Sequence, residues 1–174
     1  MTDIEKLKSA IRDVPDFPKK GIIFKDITPI LKNKELFSLA IAKMVEPFKK
    51  QKIHSIVAIE ARGFILGGAI ARILNCGMVP VRKQGKLPSK TYSVTYDLEY
   101  GTDTLEIHTD AVNKGDRVLL VDDLLATGGT AGSVCKLIEK SGGEIVGLSF
   151  LIELAFLNGR KKLKDYPIHC VLQL

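Results

Sequence analysis

Hydrophobic positions along the chain change period several times, and these changes divide it into elements. Ile4, Leu7 and Ile11 recur at helical spacing, which predicts a short amphipathic helix over residues 3–12. Residues 14–31, VPDFPKKGIIFKDITPIL, contain Pro15, Pro18, Gly21 and Pro29, so no continuous helix crosses them. Phe17, Ile22, Ile23 and Phe24 are nonetheless apolar, and such a loop is expected to pack as a lid or to line a pocket. Leu36, Phe37, Ala40, Ile41, Met44 and Phe48 form one stripe of a helix over 34–49, with Asn33 as its cap. Residues 55–59 and 77–81 read as buried strands around a small-residue helix at 64–74. This repeat of strand, turn and helix predicts parallel βαβ units.

Residues 82–108 break the rhythm. Tyr92, Val94 and Tyr96 alternate, as do Leu105 and Ile107, which predicts two antiparallel strands with Gly101 near their turn. A polar hairpin projecting from a parallel sheet is a candidate mobile flap. After the turn Asn113-Lys114-Gly115-Asp116, the pattern resumes with RVLLVDDLLATGGT at 117–130. Further on, 144–152 reads as a strand, 157–163 as helical and 169–172 as a last short strand. The expectation is an α/β fold in a single domain over 1–174: a mainly parallel sheet flanked by helices, with a flap at about 82–108 and a small N-terminal hood at about 1–33.

The 117–130 stretch carries the chemistry. Its apolar run is β-branched without alternation, as in a strand covered on both faces. Asp122 and Asp123 follow at the carboxyl end of that strand, where open α/β sheets bind ligands. Thr127, Gly128, Gly129 and Thr130 then open a helix with small residues, and backbone N–H groups there can wrap a phosphate. A phosphate cradle beside two acids suits a sugar phosphate whose hydroxyls need acceptors. Read alone, the two acids are equally compatible with a solvated or helix-capping pair.

Composition narrows the class. The chain has 174 residues, enough to bury a sizeable core, with 26% charged residues and no Trp. Its net charge of +6 is open to nucleic-acid binding or to a site for a highly anionic small molecule. No Arg-rich stripe with interleaved aromatics occurs, which favours the small molecule and argues against a nucleic-acid partner. Cys76, Cys135 and Cys170 form no C-x-x-C and read as reduced thiols. No apolar run approaches the roughly 20 residues of a membrane span, and MTDIEKLK lacks the apolar core of a signal peptide, so a cytoplasmic protein without membrane contact is expected. P-loop, G-x-G-x-x-G, HExxH and Cys/His zinc patterns are all missing.

VLLVDDLLATGGTA closely resembles the phosphoribosyl diphosphate (PRPP) signature of the type I phosphoribosyltransferases. FPKKGIIFKDITPIL (17–31), EARGFILG (60–67), VRKQGKLP (81–88), DLEYG (97–101) and LIELAFLNGRKKL narrow the resemblance to the adenine-using branch and carry it over essentially the whole chain. Lys20 stands where many relatives have proline, and Lys25 where some have arginine.

The resemblance implies the type I phosphoribosyltransferase fold and purine salvage: adenine plus PRPP giving AMP and pyrophosphate. It further implies that Ala126, Thr127, Gly128, Gly129 and Thr130 hold the 5-phosphate, and that Asp122 and Asp123 accept from the ribose hydroxyls. Arg62, Lys83 and Lys86 would contact the diphosphate. Mg²⁺ would bridge diphosphate and ribose oxygens without a direct protein ligand, with water-mediated contacts to Asp122 and Asp123 as an open alternative. For the base, Phe24 would stack on adenine, backbone groups of Ile23 and Lys25 would read its edge, and Leu154 would cover the other face. Glu99 matches the proposed acid–base group, with Tyr100 beside it; with Arg62 these are the implied catalytic residues. Relatives are homodimers. Two rivals remain: an enzyme for another purine base, against which the 17–31 loop argues, and a PRPP-sensing repressor, for which residues 1–12 are too short a DNA-binding addition.

Overall fold

The computed structural model describes residues 1–97 and 102–174. The chain divides into two compact units, Met1–Lys43 and Met44–Leu174.

In the first unit, helix α1 (Asp3–Ala10) starts with a capping box, in which Thr2 and Glu5 satisfy each other's backbone N–H groups. The segment expected to be an irregular loop is more ordered than its prolines and glycine suggest. Strands β1 (Arg12–Pro15) and β2 (Ile23–Asp26) pair antiparallel as a separate two-stranded sheet. Two cross-strand ion pairs fasten it: Arg12 to Asp26 and Lys25 to Asp13, each at 2.7 Å. Pro29 does not break structure but sits in the first turn of the short helix α2 (Thr28–Lys32), where a missing N–H costs nothing. Helix α3 (Lys34–Val45) is capped as its sequence predicts, the Asn33 side-chain oxygen accepting from the N–H groups of Glu35 and Leu36 at 3.0 and 3.1 Å.

The second unit is built on a seven-stranded sheet. Its strands are β3 (Ser55–Ile59), β4 (Gly77–Lys83), β5 (Thr91–Asp97), β6 (Thr102–His108), β7 (Arg117–Leu125), β8 (Glu144–Glu153) and β9 (Ile168–Gln173), in the order β5-β6-β4-β3-β7-β8-β9. β4, β3, β7, β8 and β9 run parallel; β6 joins β4 antiparallel and pairs with β5 as the expected hairpin. Helix α4 (Arg62–Leu74) connects β3 to β4, and α5 (Gly129–Lys140) connects β7 to β8 in the opposite lateral direction. Right-handed crossovers therefore put the two helices on opposite faces of the sheet.

Strand periodicity fills both layers. Val57, Ile59, Val118 and Leu120 pack in one cluster with Val134, Cys135 and Ile138 of α5. On the α4 side the approach is closer: a Cβ added to Gly67 would stand 2.6 Å from that of Ala58, so a side chain there would push helix from sheet. The segment 157–163, expected as one helix, is two 3₁₀ turns, Ala155–Leu157 and Gly159–Lys162, separated by Asn158 in the left-handed region. Among the described residues no helix is long and apolar enough to cross a membrane.

Candidate active site

The strand order reverses between β3 and β7, because the chain leaves one toward β4 and the other toward β8. A crevice forms at such a switch point. β3 stops at Ile59, and its last partner on β7 is Val121. β7 continues through Asp122 and Asp123 to Leu125 along β8, so the two acids lie within the strand but beyond its last pairing with β3. A cavity of about 360 Å³ opens there. Arg62, Lys83, Asp122, Asp123, Ala126, Thr127, Gly128, Gly129 and Thr130 all line it, joined by Glu60 and Tyr96.

Asp123 is buried, and Arg62 Nε at the start of α4 lies 2.9 Å from its Oδ2. The Asp123 N–H donates to the Asp122 side chain at 2.9 Å. Burial and the neighbouring Asp123 charge push the Asp122 carboxyl well above its ordinary value. Burial raises Asp123 as well, against the pull of Arg62. Gly63 makes room for this pair: a Cβ there would meet Asp122 Oδ1 at 2.9 Å.

The phosphate-type loop owes its shape to two glycines facing each other. Gly128 has φ +79°, a conformation that favours glycine, and a Cβ on it would strike the Gly159 carbonyl oxygen. A Cβ on Gly159 would in turn strike the Ala126 carbonyl oxygen. The loop ends at the N-terminus of α5, whose first N–H groups have no intrahelical acceptor.

The basic segment after β4 is anchored by two acids. Glu60 accepts from the Arg82 guanidinium at 3.0 Å and the Lys83 N–H at 2.9 Å; Arg82 foremost holds its carboxyl below the ordinary value. The nearly buried Glu106 accepts from the Gly85 N–H at 3.1 Å. Lys83 Nζ lies 3.0 Å from Asp103 of β6, and the Thr130 hydroxyl donates to the Tyr96 hydroxyl at 3.3 Å.

Lys86 is exposed and outside the cavity lining, its carbonyl accepting from Arg82 at 3.2 Å. Leu154 also lies outside that lining and precedes the turn Ala155–Leu157, with its N–H bonded to the Leu125 carbonyl at 2.9 Å. Ile23, Phe24 and Lys25 are on β2 of the first unit, where Ile23 is 56% exposed and Phe24 meets Phe17 edge-on with ring centres 5.2 Å apart. Glu99, Tyr100 and Gly101 fall outside the described residues. Glu60, Tyr96, Asp103 and Gly159 were not among the residues expected at the site. Glu60 carries a local signal, its adjacency to Arg62 on the same turn; the other three owe their places to contacts distant in sequence.

A family model of the phosphoribosyl transferase domain matches residues 26–172. The adenine phosphoribosyltransferase of Halothermothrix orenii is 60% identical over 168 residues, covering 97% of this chain and 99% of that protein. The chain belongs to the adenine phosphoribosyltransferase family. Its fold agrees with that membership. The crystal structure of the Rhodothermus marinus adenine phosphoribosyltransferase superposes with a TM-score of 0.96 at 58% identity, over 99% of this chain and 98% of that one. The Saccharomyces cerevisiae enzyme, solved with adenine and an imino-altritol bisphosphate, gives 0.92 at 41% identity over 98% of both chains. The type I phosphoribosyltransferase fold expected from the sequence is thus the observed one.

Proposed function

We infer that the protein transfers the 5-phosphoribosyl group of PRPP to adenine, releasing pyrophosphate and forming AMP. The observation that carries this reading is the meeting of the glycine loop, Asp122, Asp123 and Arg62 in one cavity, in a chain similar over its length to adenine phosphoribosyltransferases.

The sugar end of PRPP suits the crevice. N–H groups of residues 127–130 and the positive end of α5 favour the 5-phosphate, with the hydroxyls of Thr127 and Thr130 as further donors. Asp122 and Asp123 accept from the ribose hydroxyls. Their carboxylates also favour the positive charge that builds on the ribose ring as its bond to the diphosphate breaks. Arg62, Lys83 and Lys86 neutralise the departing diphosphate; Glu60 and Glu106 hold the backbone that presents the two lysines.

The donor set can be tested for Mg²⁺. Among the described residues no group of three or more His, Cys, Asp or Glu side chains can hold a metal. Two adjacent carboxylates at an open cavity fit a Mg²⁺ ligated mainly by substrate oxygens and water. When bound it supplies charge neutralisation at the diphosphate oxygens. Asp122 and Asp123 are the residues that would meet it, through water.

On the acceptor side, Phe24 offers a ring face for adenine, Ile23 and Lys25 their backbone groups, and Leu154 an apolar cover. The new bond joins adenine N9 to the anomeric carbon, and the N9 proton leaves to a base. Glu99 is assigned that proton, with Tyr100 as its neighbour, on the family resemblance of DLEYG. We assign residues 1–33 as the hood and 82–108 as the flap of one phosphoribosyltransferase domain, and the protein as a cytoplasmic homodimer. A panel of PRPP, Mg²⁺ and each purine base, read by pyrophosphate and nucleotide formed, tests the reading. AMP from adenine is expected; turnover of hypoxanthine but not adenine would overturn the acceptor.

A further inference from the structure

Strand β5 alternates from Tyr92 to Asp97. Tyr92, Val94 and Tyr96 are half-buried, whereas Ser93, Thr95 and Asp97 are exposed. The inner side chains lie along α5, where Lys140 Nζ stands 5.1 Å from the centre of the Tyr92 ring. Tyr96 is directly opposite Asp103 in the antiparallel register, so both project from the same face. This rung lies at the cavity, and Tyr96 lines it.

Each member of the rung holds a group that an anion would need. Asp103 is paired with Lys83 Nζ at 3.0 Å, and Tyr96 accepts from the Thr130 hydroxyl at 3.3 Å. Lys83 is assigned to the diphosphate and Thr130 to the 5-phosphate, so this inference rests on the function proposed above.

We propose that the Tyr96–Asp103 rung is a two-point latch: it occupies the diphosphate cation and a 5-phosphate donor when the site is empty, and PRPP displaces it at both points. The two anionic ends of the substrate thereby unfasten the same cross-strand pair. Binding pays for opening the latch, so apparent affinity is lowered by the fraction of molecules in which it is open. Because Lys83 is 63% exposed at its side chain, the pair is a weak fastening, suited to displacement by a diphosphate carrying several charges. Asp103 also raises the Lys83 ammonium above its ordinary pKa.

The two points separate with two probes. With the full-length protein and Mg²⁺, calorimetry is run with inorganic pyrophosphate and with ribose 5-phosphate. Asp103→Asn is expected to bind pyrophosphate about two- to fivefold more tightly, a range set by exposed ion pairs, with ribose 5-phosphate unchanged. Tyr96→Phe, which keeps the ring, is expected to bind ribose 5-phosphate about two- to tenfold more tightly, from the loss of one neutral hydrogen bond, with pyrophosphate unchanged. Thr95→Val, on the outer face where Thr95 and Thr104 hydroxyls meet at 2.8 Å, loosens the hairpin without touching the latch and is expected to alter neither.

Unchanged or weaker binding in Asp103→Asn or Tyr96→Phe overturns the latch, as does a Thr95→Val variant that tightens either probe equally. Wild-type protein making no AMP from adenine and PRPP overturns the underlying reading instead, and is seen before any variant is compared.

Discussion

Arg62 and Asp123 meet at 2.9 Å across the join between α4 and β7, and the aspartate is only 4% exposed. The pair puts a guanidinium assigned to the diphosphate beside a carboxylate assigned to the ribose. Truncating Arg62 removes a diphosphate contact and also strands a buried acid. Arg62→Ala is therefore expected to lower kcat/KM for PRPP by about a hundredfold or more and to cost about 1–3 kcal/mol of stability. Steady-state kinetics and urea denaturation measure the two effects; intact stability with lost activity would show that Asp123 does not depend on Arg62.

Gly128 and Gly159 touch backbone to backbone, far apart in sequence. Gly159→Ala is expected to displace the loop from below, costing about 1–3 kcal/mol through overpacking and raising KM for PRPP while KM for adenine stays the same. Gly128→Ala adds an unfavourable backbone conformation at φ +79° and is expected to be worse. Thermal unfolding and the two KM values decide.

Glu60 bridges Arg82 and the Lys83 N–H. Glu60→Gln keeps an acceptor for the N–H but not the charge facing the guanidinium. A moderate loss is expected, about tenfold in kcat/KM for PRPP, with Glu60→Ala several times worse. Equal losses in both variants would mean that the charge alone matters.

Glu153 is almost fully buried and clasped by Arg160 through two contacts at 2.8 and 2.9 Å, which chiefly holds its carboxyl below the ordinary 4.5. A depressed folded value means the unfolded chain binds the proton first on acidification. The contribution is present above 4.5 and disappears as pH falls through the lower folded value. Glu153→Gln is expected to be less stable than wild type at neutral pH and to lose less stability on acidification. Denaturation midpoints across the acid range check this; parallel curves would contradict it.

Cys135 and Cys170 are each pushed up to about 12, mainly by burial. Almost no thiolate exists at neutral pH, so both should resist iodoacetamide in the folded protein and react on unfolding. Rapid labelling of Cys135, followed by mass spectrometry, would contradict its buried placement.

Much of the fold was legible locally. Residues 118–121 are apolar without alternation because β7 is covered on both faces, and Tyr92, Val94 and Tyr96 alternate because β5 is not. Residues 12–26 were not legible as a hairpin: their order comes from the pairing of Arg12 with Asp26 and Lys25 with Asp13, which no short-range period announces. The two 3₁₀ turns at 155–162 were likewise hidden, since the break between them depends on the left-handed Asn158.

The sequence by itself determined the parallel strand–helix rhythm, the glycine loop and the adjacent acids, because periodicity and positive-φ turns are properties of neighbouring residues. Only the tertiary structure decided that Asp123 faces Arg62, that Asp103 holds Lys83 and that Gly159 supports Gly128. Those pairings follow from strand order, register and backbone approach between distant segments, and a change in any of them would leave each local pattern intact.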